Sequence, residues 1–141
     1  MKKVLVDSNI FLDYYLDRKD NLRPLGEFAF QFFRETARCR YFVLITKDVE
    51  REIGSVLGLR KEDVWKKVFD SLRKKRKIEI IGYGKDTEER AVLLAKRENI
   101  PKTDALLIEV AKENSLILVS RNFHFNKAKD TIEVFKPEEL I

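Results

Sequence analysis

The chain predicts a three-layer α/β/α fold built on a mainly parallel, roughly five-stranded sheet. Three observations point there. Short apolar runs recur along the 141 residues and read as strands buried on both faces. Amphipathic stretches of helical period separate them, the alternation that builds parallel sheets. Short polar side chains stand where the runs stop and the next helix should begin.

The elements follow in order. Lys3 to Asp7 is the first strand, with Val4-Leu5-Val6 as its buried run and Asp7 at its end. Ile10 to Leu16 is a short helix, and Asp17 to Asn21 a polar loop. Pro24 opens a helix that runs to about Cys39, its Leu25, Phe28, Phe32 and Phe33 forming an apolar stripe that reads as core or dimer face. Tyr41 to Ile45 is the second strand. Thr46 caps the next helix, which faces inward with Val49, Ile53, Val56 and Leu57 and ends at Gly58. Arg60 to Lys77 reads as one amphipathic helix, with Val64, Val68 and Leu72 flanked by Trp65 and Phe69. Ile78 to Ile81 is a strand, Gly82-Tyr83-Gly84 a turn, and Thr87 to Glu98 a helix with Ala91, Leu94 and Ala95 inward. Pro101 breaks the chain before a helix capped by Thr103, with Asp104 in its first turn. Leu116 to Ser120 is a strand, Thr131 to Phe135 an edge strand, and Pro137 opens a last helical turn.

Residues 1–141 read as one domain, without repeats, low-complexity segments or a linker. The hydrophobic share is 44%, enough for a real core. No apolar stretch approaches the roughly 18 residues that span a bilayer. No leader with a charged start and an apolar core is visible, so export is not expected and the cytoplasm is the expected compartment. Cys39 is the only cysteine, which excludes an intramolecular disulfide and reads as a small apolar filler near a helix end. His124 is the only histidine, which argues against Cys/His zinc sites and against a Ser-His-Asp hydrolase. No glycine-rich phosphate loop follows any strand, which disfavours a nucleotide-binding fold of the Rossmann kind. The chain is 38% charged with a net charge of +5 and a single Gln, a composition with a thermophile-like bias and compatible with a polyanionic partner.

The acids carry the chemistry. Asp7 ends a central strand, Glu50 and Glu52 lie in the helix after the second strand, Asp104 opens the helix after Pro101, and Asn122 follows the strand that ends at Ser120. In a parallel sheet all strand carboxyl ends share one edge, so these groups can converge there. Carboxylates held close repel one another unless a divalent cation neutralises them. Mg²⁺ or Mn²⁺ suits such an all-oxygen set. Each acid alone has a plainer reading: Asp104 as a charge favoured by the helix dipole, and Glu50 and Glu52 as solvated helix charges. The joint pattern supports the metal site.

Val4-Leu5-Val6-Asp7-Ser8-Asn9 resembles the opening of PIN domains, a family of metal-dependent ribonucleases that includes the VapC toxins of toxin–antitoxin pairs. Val49-Glu50-Arg51-Glu52-Ile53 is similar to the family's second acidic motif, and the resemblance favours Glu52 over Glu50, which helical geometry does not separate. Lys102-Thr103-Asp104-Ala105-Leu106-Leu107-Ile108 resembles the third motif, and Leu118 to Phe125 the fourth. The resemblance implies Asp7, Glu52 and Asp104 as ligands of Mg²⁺ or Mn²⁺, with Asn122 assisting catalysis and Ser8, Asn9 and Ser120 orienting the ligands. It also implies endoribonuclease activity, an RNA substrate, a homodimer and a small antitoxin partner. Asn122 and His124 stand where many members carry Asp, which weakens the case for a second metal ion. His124 then reads either as a phosphate contact or proton donor, or as a surface histidine beside Phe123 and Phe125.

Candidate RNA contacts are Arg121, His124 and the run Arg73-Lys74-Lys75-Arg76-Lys77, a helix-end cluster that the dipole would also favour. Tyr14, Tyr15 and Tyr83 are candidates for base stacking. The alternative function is a catalytically weak RNA-binding or protein-interaction module on the same fold, motivated by Asn122.

Overall fold

The computed structural model describes residues 1–141. β1 (Lys2–Val6) and β2 (Tyr41–Ile45) pair in parallel, with Val4 opposite Val43 and Leu5 opposite Leu44. β3 (Ile78–Ile80) lies outside β2, β4 (Ile117–Val119) on the other side of β1, and β5 (Val134–Phe135) at the edge beyond β4. The five strands are all parallel in the order β3-β2-β1-β4-β5. Val4, Leu5 and Val6 are wholly buried, because β1 is the central strand and helices cover both faces.

The helices fall into two layers. α1 (Ser8–Leu16), α2 (Leu25–Ala37), α3 (Lys47–Leu57), α4 (Lys61–Lys67) and α5 (Asp70–Lys74) connect β1 to β2 to β3. Among them α1 packs on α2 and α3, and α2 on α5. α6 (Lys85–Glu98) and α7 (Lys102–Glu113) carry the chain back from β3 to β4 and pack on each other. The strand order therefore reverses between β1 and β4. In open α/β sheets the crevice at such a reversal, outside the strand carboxyl ends, is the usual ligand site. Asp7 and Ser120 follow these two strands directly. No helix is long and apolar enough to cross a membrane.

The aromatic stripe of α2 is core: Phe32 and Phe33 are buried, and Phe33 stacks on Phe11 of α1 at 5.0 Å between centroids. The α1–α2 pair depends on Gly26. A Cβ there would lie 2.7 Å from the Cα of Asp17 and 2.9 Å from the carbonyl oxygen of Asp13, both backbone atoms at the end of α1. Gly26→Ala is expected to destabilise the fold by about 1–3 kcal/mol through this overlap. A thermal melt checks it, and an unchanged midpoint would show that the helices can separate at no cost.

Four local expectations are corrected. Arg60 to Lys77 is two helices rather than one: the chain turns between Lys67 and Asp70, and Phe69 enters the core between Phe11 and Trp65, each ring 4.9 Å away. Thr103 lies inside α7, whose capping position is Pro101, with no side-chain cap bond. Val56 is 52% exposed, on the outer side of α3. Cys39 is exposed at a left-handed turn (φ 68°) after α2, so it fills no core space. The cap expected at Thr46 is present, its Oγ1 accepting from the Val49 amide at 3.3 Å.

Candidate metal-binding active site

Asp7 sits at the junction of β1 and α1, where its own backbone is still extended. Its amide donates to the Val119 carbonyl at 3.0 Å, which continues the β1–β4 pairing to the strand ends. The side chain is buried. Its Oδ1 accepts from the Ser8 amide at 2.8 Å, and its Oδ2 accepts from the Ser120 hydroxyl at 2.8 Å. Ser120 Oγ in turn accepts from the Asn122 amide at 3.0 Å. Ser8 and Ser120 thus fix both oxygens of the carboxylate.

Burial pushes the Asp7 pKa up from 3.8 to about 6, against the lowering effect of the Ser120 and Ser8 bonds. The charges of Asp104 and Glu52 add to the rise, so three carboxylates share one field. Asp7, Thr46, Asp48, Glu52, Thr103 and Asp104 line a single narrow pocket. As the side chains stand, no three His, Cys, Asp or Glu groups are set to grip one ion. The donor set fits a hard divalent cation all the same: it is all oxygen, it is anionic, and its most buried member is already costly to ionise.

Asp104, in the first turn of α7, is held by a different device. Its Oδ2 accepts from Asn122 Nδ2 at 3.1 Å and lies 2.7 Å from His124 Nδ1. Asn122 Oδ1 accepts from the His124 amide at 3.0 Å and caps the 3₁₀ turn Phe123–Ala128. The loop after β4 therefore presents an amide and an imidazole to Asp104 where a further acid would repel it.

The two glutamates of α3 separate. Glu52 opens onto the pocket with Asp7 and Asp104. Glu50 is buried on another side of the helix, accepting from Trp65 Nε1 at 2.5 Å with Lys61 Nζ at 3.9 Å. Asn9 turns away from Asp7: it is exposed, and its Oδ1 accepts from Arg18 at 3.2 Å, so it orients no site carboxylate. Asp48 joins the pocket although the sequence reading passed over it. It accepts from the Tyr83 hydroxyl at 2.5 Å and pairs with Arg51 at 3.5 Å. Burial and Asp48 hold the Tyr83 phenol well above its ordinary pKa. The available signal was the position of Asp48 just past a strand end, the same class of position as Asp7.

The candidate RNA contacts scatter. Arg121 is only 13% exposed and forms a two-pronged bond to Glu138 at 2.6 and 2.9 Å, with Asp13 at 3.6 Å and the Phe28 ring beneath it. Its charge is compensated inside the protein. The run Arg73 to Lys77 leads into β3 at the amino ends of the strands, where Lys77 Nζ meets Met1 Sδ at 3.6 Å. Asp7 and Asp104 lie at the opposite edge. Arg73 and Lys74 share one exposed partner, Asp70, each at 3.0 Å. Tyr14 packs against Phe33 rather than standing free.

The family model of the PIN domain matches residues 4–130. Solved structures of similar fold include VapBC2 from Rickettsia felis bound to a promoter DNA fragment, at 16% identity and TM-score 0.67, covering 95% of this chain and 98% of that one. A toxin–antitoxin complex from Klebsiella pneumoniae aligns at 20% identity and TM-score 0.66, covering 95% and 97%. FitAcB from Neisseria gonorrhoeae aligns at 17% identity and TM-score 0.62, also covering 95% and 97%. A search of curated proteins gives no match.

Proposed function

The chain belongs to the PIN domain family, and from that premise we propose that it is a metal-dependent endoribonuclease acting as the toxin of a toxin–antitoxin pair. The observation that carries the reading is the shared field of Asp7, Glu52 and Asp104 at the β1/β4 crevice. Asp7, Glu52 and Asp104 would hold Mg²⁺ or Mn²⁺. A bound ion of that kind activates water and stabilises the leaving oxygen of a phosphodiester.

The chain's own residues do the positioning. Ser8 and Ser120 hold the Asp7 carboxylate by one bond to each oxygen. Asn122 and His124 hold Asp104 through Oδ2 alone, which leaves its other oxygen free to face the pocket. Tyr83 holds Asp48. The fourth acid of the pocket, Asp48, is already engaged by Tyr83 and Arg51, so Asp7, Glu52 and Asp104 suit a single tightly held ion better than two. No side chain is required as a nucleophile. The toxin–antitoxin complexes of similar fold support an antitoxin partner, and the homodimer is carried over from the family resemblance.

The test is cleavage of a structured RNA pool with Mn²⁺, Mg²⁺ or EDTA, with Asp104→Asn in parallel. Cleavage should require the metal and fall at least about 100-fold in the variant, more than the roughly 10–100-fold that losing an outer partner of a metal ligand costs. Equal cleavage by both proteins would remove Asp104 from the chemistry. No cleavage in any metal, with retained RNA affinity, would leave a binding module on a nuclease fold.

A further inference from the structure

The nuclease reading needs a path for the RNA strand, and the sequence-suggested basic run cannot supply it from the far edge of the sheet. A second basic surface stands beside the site. An open groove follows α3 along its outer side, with Lys47, Arg51, Arg60 and Lys61 around it and Gly54 and Gly58 among its lining residues. Residues 47, 51, 54 and 58 recur at spacings of four and three, so they form one stripe along the helix. Asp48 and Glu52, the pocket-lining acids, form the neighbouring stripe, about 100° around. The groove and the carboxylate pocket are thus adjacent faces of one helix. They meet at its amino end, where Lys47 stands between Thr46 and Asp48 and lies 5.1 Å over the Tyr83 ring.

The charges in this groove are weakly compensated. Lys47 and Arg60 have no carboxylate within ion-pair distance. Arg51 pairs with Asp48 at 3.5 Å while 72% exposed, and Lys61 meets Glu50 at 3.9 Å while 68% exposed. Such exposed pairs contribute little and exchange readily for another anion. Glu50 itself is engaged by Trp65. The two glycines place no side chain over the groove, and the constraint on them is local. Gly58 ends α3 at φ +66°, and a Cβ on Gly54 would meet the Leu59 carbonyl oxygen at 2.9 Å. The eleven residues of α3 span about 16 Å, enough for a few successive phosphates of one strand.

We propose that the α3 groove holds the phosphate backbone of single-stranded RNA flanking the cleaved bond, with Lys47 at the site end and Arg60 and Lys61 at the distal end. The proposal rests on the nuclease reading for its direction, but its test does not use cleavage. A labelled single-stranded RNA oligonucleotide is titrated in EDTA over a range of salt concentrations, and binding is read by fluorescence anisotropy. The combined Arg60→Ala and Lys61→Ala variant should bind about tenfold more weakly. Its plot of log affinity against log salt should be shallower by about 1.4, which is roughly 0.7 for each of two lost phosphate contacts. Lys61→Glu should weaken binding in the same direction. Arg73→Ala with Lys74→Ala should match the parent, and melting curves verify that each variant is folded. Unchanged affinity and slope in the distal variants, or equal losses from the Arg73/Lys74 pair, would overturn the groove. So would a parent protein that binds no single-stranded RNA. Metal-dependent cleavage in the parent would remain unaffected by that result, so the two readings fail separately.

Discussion

Asp7→Asn is expected to abolish RNA cleavage and, in metal-free buffer near neutral pH, to raise the melting temperature. The first effect follows from removing a proposed ligand. The second follows from the environment of the carboxylate. The folded-state pKa of Asp7 is raised from 3.8 to about 6, chiefly by burial. Between those values the native state keeps a proton that the unfolded chain has lost, so stability falls as pH rises from about 4 to about 6 and stays lower above. Two pKa units correspond to about 3 kcal/mol, an upper figure because local relaxation and water soften burial. Half of that would raise the midpoint by about 5 °C in a domain of this size. The amide fits the site: its oxygen can accept from the Ser8 amide, and its nitrogen can donate to Ser120 Oγ. Mn²⁺ should reverse the order, stabilising the parent by mass action while leaving the variant nearly unmoved. Melting curves at about pH 5 and pH 8, with Mn²⁺ and with EDTA, check each part. A variant that melts below the parent in EDTA at the higher pH would show that the Asp7 carboxylate is not strained.

Arg121→Ala is expected to cost about 3 kcal/mol of stability, the loss typical of stripping one partner from a buried ion pair. Arg121 bridges three parts of the fold: Asp13 in α1, Glu138 in the final 3₁₀ turn and the Phe28 ring in α2. Asp13 is 4% exposed, and burial raises its pKa even with Arg18 and Arg121 beside it. Without Arg121 it would keep only Arg18, at 3.6 Å. Glu138 is burdened by burial as well, but the Arg121 bonds and charge outweigh it and hold its pKa low. Asp13→Asn in the Arg121→Ala background should recover part of the loss, because it removes the stranded charge rather than restoring packing. A double-mutant cycle by chemical denaturation measures the coupling. A single-variant loss within about 0.5 kcal/mol would mark the network as ordinary surface electrostatics. It would also return Arg121 to the candidate RNA contacts.

Both results concern residues whose meaning was unequally visible in the sequence. Asp7 was legible because a central parallel strand reads as an unbroken apolar run, and the residue that ends it must lie at the sheet's carboxyl edge. Asp104 was legible as an acid opening a helix, although its N-cap was misplaced onto Thr103. Arg121 looked like a free cation beside a site motif. Its partners lie 108 residues before it and 17 after it in the chain, a pairing that no local pattern records.

The sequence by itself determined the strand–helix alternation, the parallel sheet and the carboxylates that end its strands, since these depend on unbroken apolar runs, on the 3.6-residue helical period and on local turn chemistry. The tertiary structure alone decided which charges meet. It sent Glu50 to Trp65 and Lys61 and left Glu52 with Asp7 and Asp104, although the two glutamates lie only two residues apart. It carried the Arg73–Lys77 run to the amino edge of the sheet and Lys47 to the carboxyl edge, because the first leads into a strand and the second follows one. It paired Asn122 and His124 with Asp104, because α7 runs back across the sheet into β4, so its start and the loop after β4 lie at the same edge. Hydrogen bonds need contact distance and Coulomb energy falls as the charges separate, so partner choice is set by distances across the fold and not by spacing along the chain.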